Sequence, residues 1–202
     1  KGLPDTEEQA LVFLYMLSSQ NIDGNTYLSL LNDFIQLYPN NSEGYLRRAS
    51  YYMFSEKADE QALAEEDLKQ SMKVATNQQE ANYQAAKAIY NYALSLEGKE
   101  GNPEWTYDRA LALVREANKM KEEGIYLHLE GDILFAQAKY DEASLAYEKV
   151  NRTSIASVET YYSFMKAKQL EGKTDINGVL ALMDSTIAQL KKPYFAEAAP
   201  YF

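Results

Sequence analysis

An imperfect repeat of about 34 to 44 residues runs through this chain and limits its fold more than any other feature. Its most regular copy extends from Gly124 to Ser157 and reads GIYLHLEGDILFAQAKYDEASLAYEKVNRTSIAS. A period of this length is typical of solenoids, in which small supersecondary units stack and bury a shared core. We therefore expect a chain that presents a surface rather than one that encloses a reaction.

Almost every segment longer than about ten residues has the three- and four-residue apolar spacing of an amphipathic helix, and no segment alternates as a strand would. The fold class is therefore predicted to be all-α. We expect one continuous domain, 1–202, made of helix pairs. The predicted pairs are 6–39, 42–78, 80–123, 124–157 and 158–192. The predicted turns inside them are near 21–25, 56–59, 96–103, 138–141 and 172–177.

Local signals predict several helix ends. Asn102 followed by Pro103 is typical of a helix start, with Asn as the N-cap and Pro in the first turn. Asn40 and Glu43 are spaced as in a capping box, which predicts a second start. Gly172 is predicted to end a helix.

The unit resembles a tetratricopeptide repeat, because Gly131, Tyr140, Ala143 and Tyr147 fall at the small and aromatic positions of that family's pattern. The resemblance covers nearly the whole chain and implies a right-handed superhelical solenoid of about five helix–turn–helix pairs. Small residues such as Gly131 and Ala143 are expected to let two helix backbones approach closely, and the tyrosines to fill the wedge between neighbouring pairs. The tail at 193–202 is predicted to be either the start of a further helix or a C-terminal cap.

Composition excludes several function classes. The chain has 202 residues, no cysteine and a formal net charge of −10, so thiol chemistry is absent and a nucleic-acid partner is disfavoured. A membrane helix needs roughly 20 apolar residues, and no run approaches that length, so no transmembrane segment is predicted.

Groups that carry catalysis are scarce. His128 is the single histidine, and Asp132 lies four residues later on the same helical face. That pairing is more typical of a solvated or groove-lining histidine than of a catalytic one. No spacing of residues suggests a metal site or a phosphate loop. The sequence therefore predicts no enzyme, no metal and no cofactor.

The resemblance implies a binding groove, because the first helix of each pair lines the concave side in this family. Of the aromatic residues at these positions, Tyr92, Phe135 and Tyr162 also fit a place in the core. The expected ligand is a peptide or a helix of a partner protein. The groove residues expected from the family's register are Leu46, Ser50, Met53, Gln84, Asn91, Tyr92, His128, Asp132, Phe135, Tyr162, Lys166 and Gln169.

Two further expectations concern partner and location. The Lys, Asn and Arg set that holds a C-terminal carboxylate in some family members is missing at its places, so tight binding of acidic C-terminal peptides is not expected. The alternative function is a cell-envelope, lipoprotein-type module for outer-membrane assembly or for nutrient or glycan handling. The 17 tyrosines and the lack of cysteine are compatible with that role, which would place the chain in the periplasm or cell envelope rather than in the cytoplasm.

Overall fold

The fold is given by a computed structural model that describes residues 2–18, 20, 22–151, 158–172, 175, 177–178 and 181. Within these residues the regular secondary structure is helical, and no strand is present. None of the helices in this part of the chain is long and apolar enough to cross a membrane. The all-α fold class predicted from the helical spacing is therefore confirmed.

Nine helices follow one another in the described residues. They are α1 (Glu7–Ser18), α2 (Gly24–Leu37), α3 (Ser42–Met53), α4 (Ala58–Val74), α5 (Gln78–Ser95), α6 (Tyr107–Met120), α7 (Gly124–Ala136), α8 (Tyr140–Asn151) and α9 (Val158–Leu170). The first eight correspond to four predicted pairs, and α9 to the first helix of the fifth. The second helix predicted for that pair lies almost wholly outside the described residues, and the tail at 193–202 lies outside them entirely.

The chain divides into two compact units, Lys1–Tyr92 and Ala93–Phe202. In the first unit α1 packs on α2, α2 on α3 and α3 on α4, and Leu14, Leu31 and Phe34 are fully buried. In the second unit α6 packs on α7, α7 on α8 and α8 on α9, and α7 also touches α9. Contact of each helix with its successors is what a stacked repeat requires, because one pair buries its free face on the next. The prediction of one continuous domain stays a prediction, as does the right-handed superhelix.

Capping side chains set the helix starts. The carboxylate of Asp23 accepts a hydrogen bond from the Thr26 amide at 2.9 Å and begins α2. Asn41 accepts from the Gly44 amide at 3.1 Å and begins α3. The start predicted at Asn40 is therefore one residue early, because the amide oxygen that reaches the free N–H groups of the first turn belongs to Asn41.

The start of α6 was predicted four residues too early. Asn102 was predicted to cap α6, but its side chain accepts from the Glu104 amide at 2.9 Å and its carbonyl accepts from the Trp105 amide at 3.1 Å, closing an isolated turn. Thr106 caps α6 instead, accepting from the Arg109 amide at 3.3 Å. Trp105 between them is 1% exposed. Burying the indole outweighs the local preference for a helix start at Asn-Pro.

A close packing of glycine on an aromatic ring joins α7 and α8. A Cβ atom added at Gly131 would lie 2.5 Å from Cε1 of Tyr147, a residue that is 1% exposed. Gly131 was predicted to let two helix backbones approach. The structure shows that it makes room for a side chain, because the ring of Tyr147 fills the space where a Cβ would stand.

Candidate functional site

An open depression in the first unit lies between one face of α3 and one face of α5. Its volume is about 340 Å³. Leu46 and Ser50 of α3 and Gln84 and Asn91 of α5, all expected at a groove, line it together. We call it the major depression. Its complete lining is Ser18, Tyr27, Glu43, Leu46, Arg47, Ser50, Tyr51, Gln84, Lys87, Ala88 and Asn91.

A smaller depression continues this surface toward the start of α3. It has a volume of about 120 Å³ and shares Glu43, Leu46 and Gln84 with the major depression. Among the residues that it adds is Glu80, whose carboxylate accepts a hydrogen bond from the Gln84 amide at 2.7 Å. We call the two depressions together the α3–α5 groove.

Helical periodicity explains why these side chains share a surface. On α5, Glu80, Gln84, Lys87 and Asn91 are separated by four, three and four residues and therefore form one stripe. Leu46 and Ser50 of α3 are four apart and form part of a facing stripe. The hydroxyl of Ser50 donates to the Leu46 carbonyl at 2.9 Å, which satisfies the donor and leaves an acceptor at the groove.

Arg47 connects the groove to the exposed face of α1. Its Nη2 lies 2.8 Å from Glu43 Oε1, and its guanidinium carbon lies 5.2 Å from the ring centroid of Tyr15. Its Nε is buried and makes no hydrogen bond within the part of the chain that the structure describes. Ion pairing and ring stacking therefore hold this cation at the groove.

Lys87 has a different setting. Its side chain is exposed at the groove, and no ion-pair partner is found for it among the described residues. Sequence reasoning missed Lys87 and did not place Arg47 among the groove residues. The available signal was their position next to expected groove residues, Lys87 three after Gln84 and Arg47 one after Leu46.

Two residues expected at the groove lie in the core of the first unit. Met53 is fully buried, and Tyr92 is 5% exposed. The ring centroid of Tyr92 lies 5.9 Å from that of Phe54 in an edge-on contact. Neither side chain has surface left to offer a ligand, because α3 and α5 turn these positions inward.

In the second unit the expected residues His128 and Asp132 meet around Tyr147. The phenol of Tyr147 donates to Asp132 Oδ1 at 2.7 Å, while His128 Nε2 is 3.6 Å from the same oxygen. A separation of 3.6 Å is too long for a hydrogen bond, so the carboxylate is engaged by the phenol. The imidazole lies edge-on to the tyrosine ring at 5.6 Å.

The remaining expected residues lie on α7 and α9. Phe135 is partly buried, and its ring centroid lies 5.2 Å from that of Tyr140. Lys166 is exposed and places its Nζ 5.5 Å from the Phe135 ring centroid. Gln169 is also exposed. The side chain of Tyr162 lies outside the described residues.

A further depression of about 230 Å³ in the second unit is bordered by an ion-pair network. Arg115 Nε donates to Glu130 Oε1 at 2.8 Å and its Nη2 to Glu142 Oε2 at 3.2 Å. The hydrogen bond that Arg115 donates to Glu130 is the chief reason that the pKa of Arg115 lies above its ordinary value. Asn118 donates to the other Glu130 oxygen at 2.8 Å. These charges are directed at one another, which makes the α3–α5 groove the better candidate site.

The described part of the chain contains no group of three His, Asp or Glu side chains arranged to hold a metal ion. The α3–α5 groove offers hydrogen-bonding groups, ionic groups and an apolar surface that includes Leu46, Tyr27 and Tyr51. These are the means by which a protein surface recognises a peptide.

Comparison with solved structures agrees with the fold. Two crystal structures of MamA are similar to this chain with a TM-score of 0.58 and 18% sequence identity. One similarity covers 84% of this chain and 90% of MamA, and the other 89% and 86%. A third structure, of the type IV pilus biogenesis factor PilW, covers 93% of this chain and 92% of PilW at 14% identity. Its TM-score of 0.38 is too low to support an argument.

Neither a family model nor a curated protein sequence matches the chain. At 18% identity the likeness to MamA defines the fold alone. That fold is a helical repeat of tetratricopeptide type, which is the fold that the resemblance implied.

Proposed function

We propose that this chain is a non-catalytic scaffold that binds a peptide or a helix of a partner protein. The observation that carries the proposal is the major depression, where Leu46, Ser50, Gln84 and Asn91 line one open surface. The repeat register predicts a ligand at these positions, and their side chains are partly or fully exposed. A mixed polar surface with an apolar centre suits a peptide, which needs both hydrogen bonds and side-chain contacts.

The non-catalytic part of the proposal rests on the scarcity of reactive groups. The sequence has one histidine and no cysteine. A general base of the Ser-His-Asp kind needs an acid that is hydrogen-bonded to the imidazole and orients it. Asp132, the acid expected to pair with His128, accepts a hydrogen bond from Tyr147 instead.

The test uses a phage-displayed library of random dodecapeptides selected on the whole chain. Enriched peptides are then measured by fluorescence polarisation against a variant, Leu46→Asp, that places a charge at the centre of the groove. Leu63→Asp is the matched control, because Leu63 is 43% exposed on α4 and outside both depressions. We expect Leu46→Asp to weaken binding at least roughly tenfold, as loss of a central contact does, and Leu63→Asp to leave it unchanged.

Two results would reject the proposal: a library that yields no binder, or binders that tolerate Leu46→Asp. The alternative, a cell-envelope module for outer-membrane assembly or for nutrient or glycan handling, stays a prediction from the sequence. So does its location in the periplasm or cell envelope.

A further inference from the structure

The exposed face of α1 carries an apolar stripe. Val12 and Met16 are four residues apart, Tyr15 lies three after Val12, and all three side chains are exposed. Residues at this spacing share one face of a helix. The opposite face of α1 contributes Ala10 and Leu14 to the core of the first unit. The stripe is therefore apolar surface that the described residues leave uncovered, and contiguous patches of this kind mark interaction sites.

Arg47 joins this stripe to the major depression. Its guanidinium carbon lies 5.2 Å from the ring centroid of Tyr15, and Arg47 itself lines the depression. Ser18, one turn after Tyr15 on α1, lines it as well. Beyond Arg47 the apolar and aromatic lining consists of Tyr27 of α2, Leu46 and Tyr51 of α3, and Ala88 of α5. We call the stripe and the major depression together the docking surface.

Lys87 is a cation of the docking surface that is open to a ligand. Arg47 and Glu43, which both line the depression, are paired with each other at 2.8 Å between Nη2 and Oε1. Lys87 lines the same depression and is exposed, and no ion-pair partner is found for it among the described residues. A free cation beside apolar surface favours a ligand that has a carboxylate next to its own apolar face.

We infer that the docking surface binds an amphipathic helix of a partner protein. Apolar side chains of that helix, spaced by three and four residues, contact Tyr15 on α1 and Leu46 and Tyr51 on α3. A carboxylate at the edge of its apolar face lies against Lys87 of α5. This inference rests on the proposed function: it selects a helix over other peptide conformations, specifies the chemistry of that helix and extends the site to α1.

The makeup of the docking surface favours a helix over an extended segment. A helix satisfies its own backbone N–H and C=O groups, so it needs apolar contact across a width of about 10 Å. The docking surface crosses α1, α3 and α5, and packed helices lie about 8–10 Å apart, so this width is available. An extended backbone needs hydrogen-bond partners along its length. Ser50 already donates to the Leu46 carbonyl at 2.9 Å and Gln84 to Glu80 at 2.7 Å, which leaves few donors for it.

The first experiment tests the conformation of the ligand. Peptides are selected on the whole chain from the same dodecapeptide library, in which twelve residues make a helix of about 18 Å. Enriched peptides should carry apolar residues at three- and four-residue spacing with an acid beside them. Proline at a central position outside the apolar stripe of a selected peptide should weaken binding at least roughly tenfold, because proline breaks a helix, whereas alanine there should not. Circular dichroism should show a gain of helix when peptide and chain are mixed.

A pair of variants tests whether α1 belongs to the site, by fluorescence polarisation with the selected peptide. Tyr15→Ala should weaken binding roughly fivefold, as loss of an aromatic contact does. Leu37→Ala is the matched control and should leave binding unchanged. Leu37 is 62% exposed and Tyr15 64%, and Leu37 belongs to the same unit but lies outside both depressions.

Charge reversal tests the carboxylate. Lys87→Glu should weaken binding roughly two- to fivefold, and added salt should reduce this effect. A peptide whose acid is replaced by lysine should bind Lys87→Glu better than it binds the unaltered chain. Lys73→Glu is the matched control, because Lys73 is exposed on α4 and lies outside the groove. Circular dichroism of all four variants checks that the helices are retained.

Other results would overturn the inference. Binders that Leu46→Asp abolishes, but that tolerate the central proline, Tyr15→Ala or Lys87→Glu, would contradict it and leave the proposed function standing. Concentration-dependent association of the chain in sedimentation velocity, removed by Tyr15→Ala, would show that a second copy covers the docking surface and would also contradict it. A library without binders would reject both proposals.

Discussion

Replacing Gly131 by alanine tests whether the Tyr147 ring fills the space beside that glycine. The added Cβ would lie 2.5, 2.7 and 2.9 Å from Cε1, Cδ1 and Cζ of Tyr147. The ring is unable to withdraw easily, because it is 1% exposed and its hydroxyl is bound to Asp132 at 2.7 Å. The substitution therefore forces a shift of the ring or of α7 against α8.

The magnitude follows from two opposing effects. Carbon atoms pack at about 3.5–4.0 Å, so the ring must move by about 1 Å. Overpacking of this kind costs about 1–3 kcal/mol. Alanine gains about 1 kcal/mol over glycine in a helix interior. The net expectation is a loss of about 0–2 kcal/mol in the free energy of unfolding, whereas an open helical site would show a gain of about 1 kcal/mol.

Urea denaturation followed by far-ultraviolet circular dichroism measures this change. Gly24→Ala is the matched control, because its added Cβ meets the hydroxyl tip of Tyr51 at 2.6 Å, and that tip is able to swing away. We expect the control to lie within about 0.5 kcal/mol of the unaltered chain.

A second comparison uses Tyr147→Leu, which removes the ring from the crossing. Gly131→Ala should then be neutral or stabilising in the Tyr147→Leu background, giving a favourable coupling energy between the two sites. If Gly131→Ala alone raises the free energy of unfolding, as it would at an open helical site, the packing argument is wrong.

Three further predictions concern stability. Ala138 follows the end of α7 with a φ of 58°, and the next amide, that of Lys139, donates to the Leu134 carbonyl at 2.9 Å. Because glycine adopts this backbone conformation without strain, Ala138→Gly should raise the free energy of unfolding by about 0.5–1 kcal/mol in urea denaturation. A loss of stability would contradict this prediction. Asp67 is 5% exposed and accepts two hydrogen bonds from Arg48, at 2.7 and 2.8 Å. Asp67→Ala should therefore lower the free energy of unfolding by about 3 kcal/mol in the same assay, because it leaves the Arg48 cation without its partner. A loss under about 1 kcal/mol would show that this ion pair does not stabilise the fold. The backbone amide of Thr26 chiefly holds the pKa of Asp23 below its ordinary value of 3.8, so its contribution is present above that pH and is lost as pH falls through the lower value in the folded state. Asp23→Asn should flatten the acid side of a plot of melting temperature against pH, and an unchanged acid side would count against the cap.

Local chemistry explains what was predictable. Helix pairs and turns follow from apolar spacing and from residues such as Gly172, whose φ of 70° suits the end of α9. The rise and periodicity of a helix are properties of a few consecutive residues, so the sequence was sufficient for them. The same register placed Leu46 and Gln84 at the groove, since it depends only on position within the repeat.

Other features required the packed structure. α6 begins after Thr106 rather than after Asn102, as predicted, because the side chain of Trp105 is buried. No pattern of neighbouring residues in the sequence indicates where that indole packs. Met53 and Tyr92 carry the same apolar signature whether they face a ligand or a core. Their burial depends on how α3 and α5 rotate as they pack.

The sequence by itself determined the repeat, the all-helical class and the faces on which a ligand was expected, because these depend on the spacing of side chains along one helix. The tertiary structure alone decided that Lys87 and Glu80 border one groove and that Tyr147 occupies the space beside Gly131. Both depend on how separate helices pack, α5 against α3 in the first case and α8 against α7 in the second. Distances between such helices are set by the sum of many packing contacts, which short-range patterns do not encode.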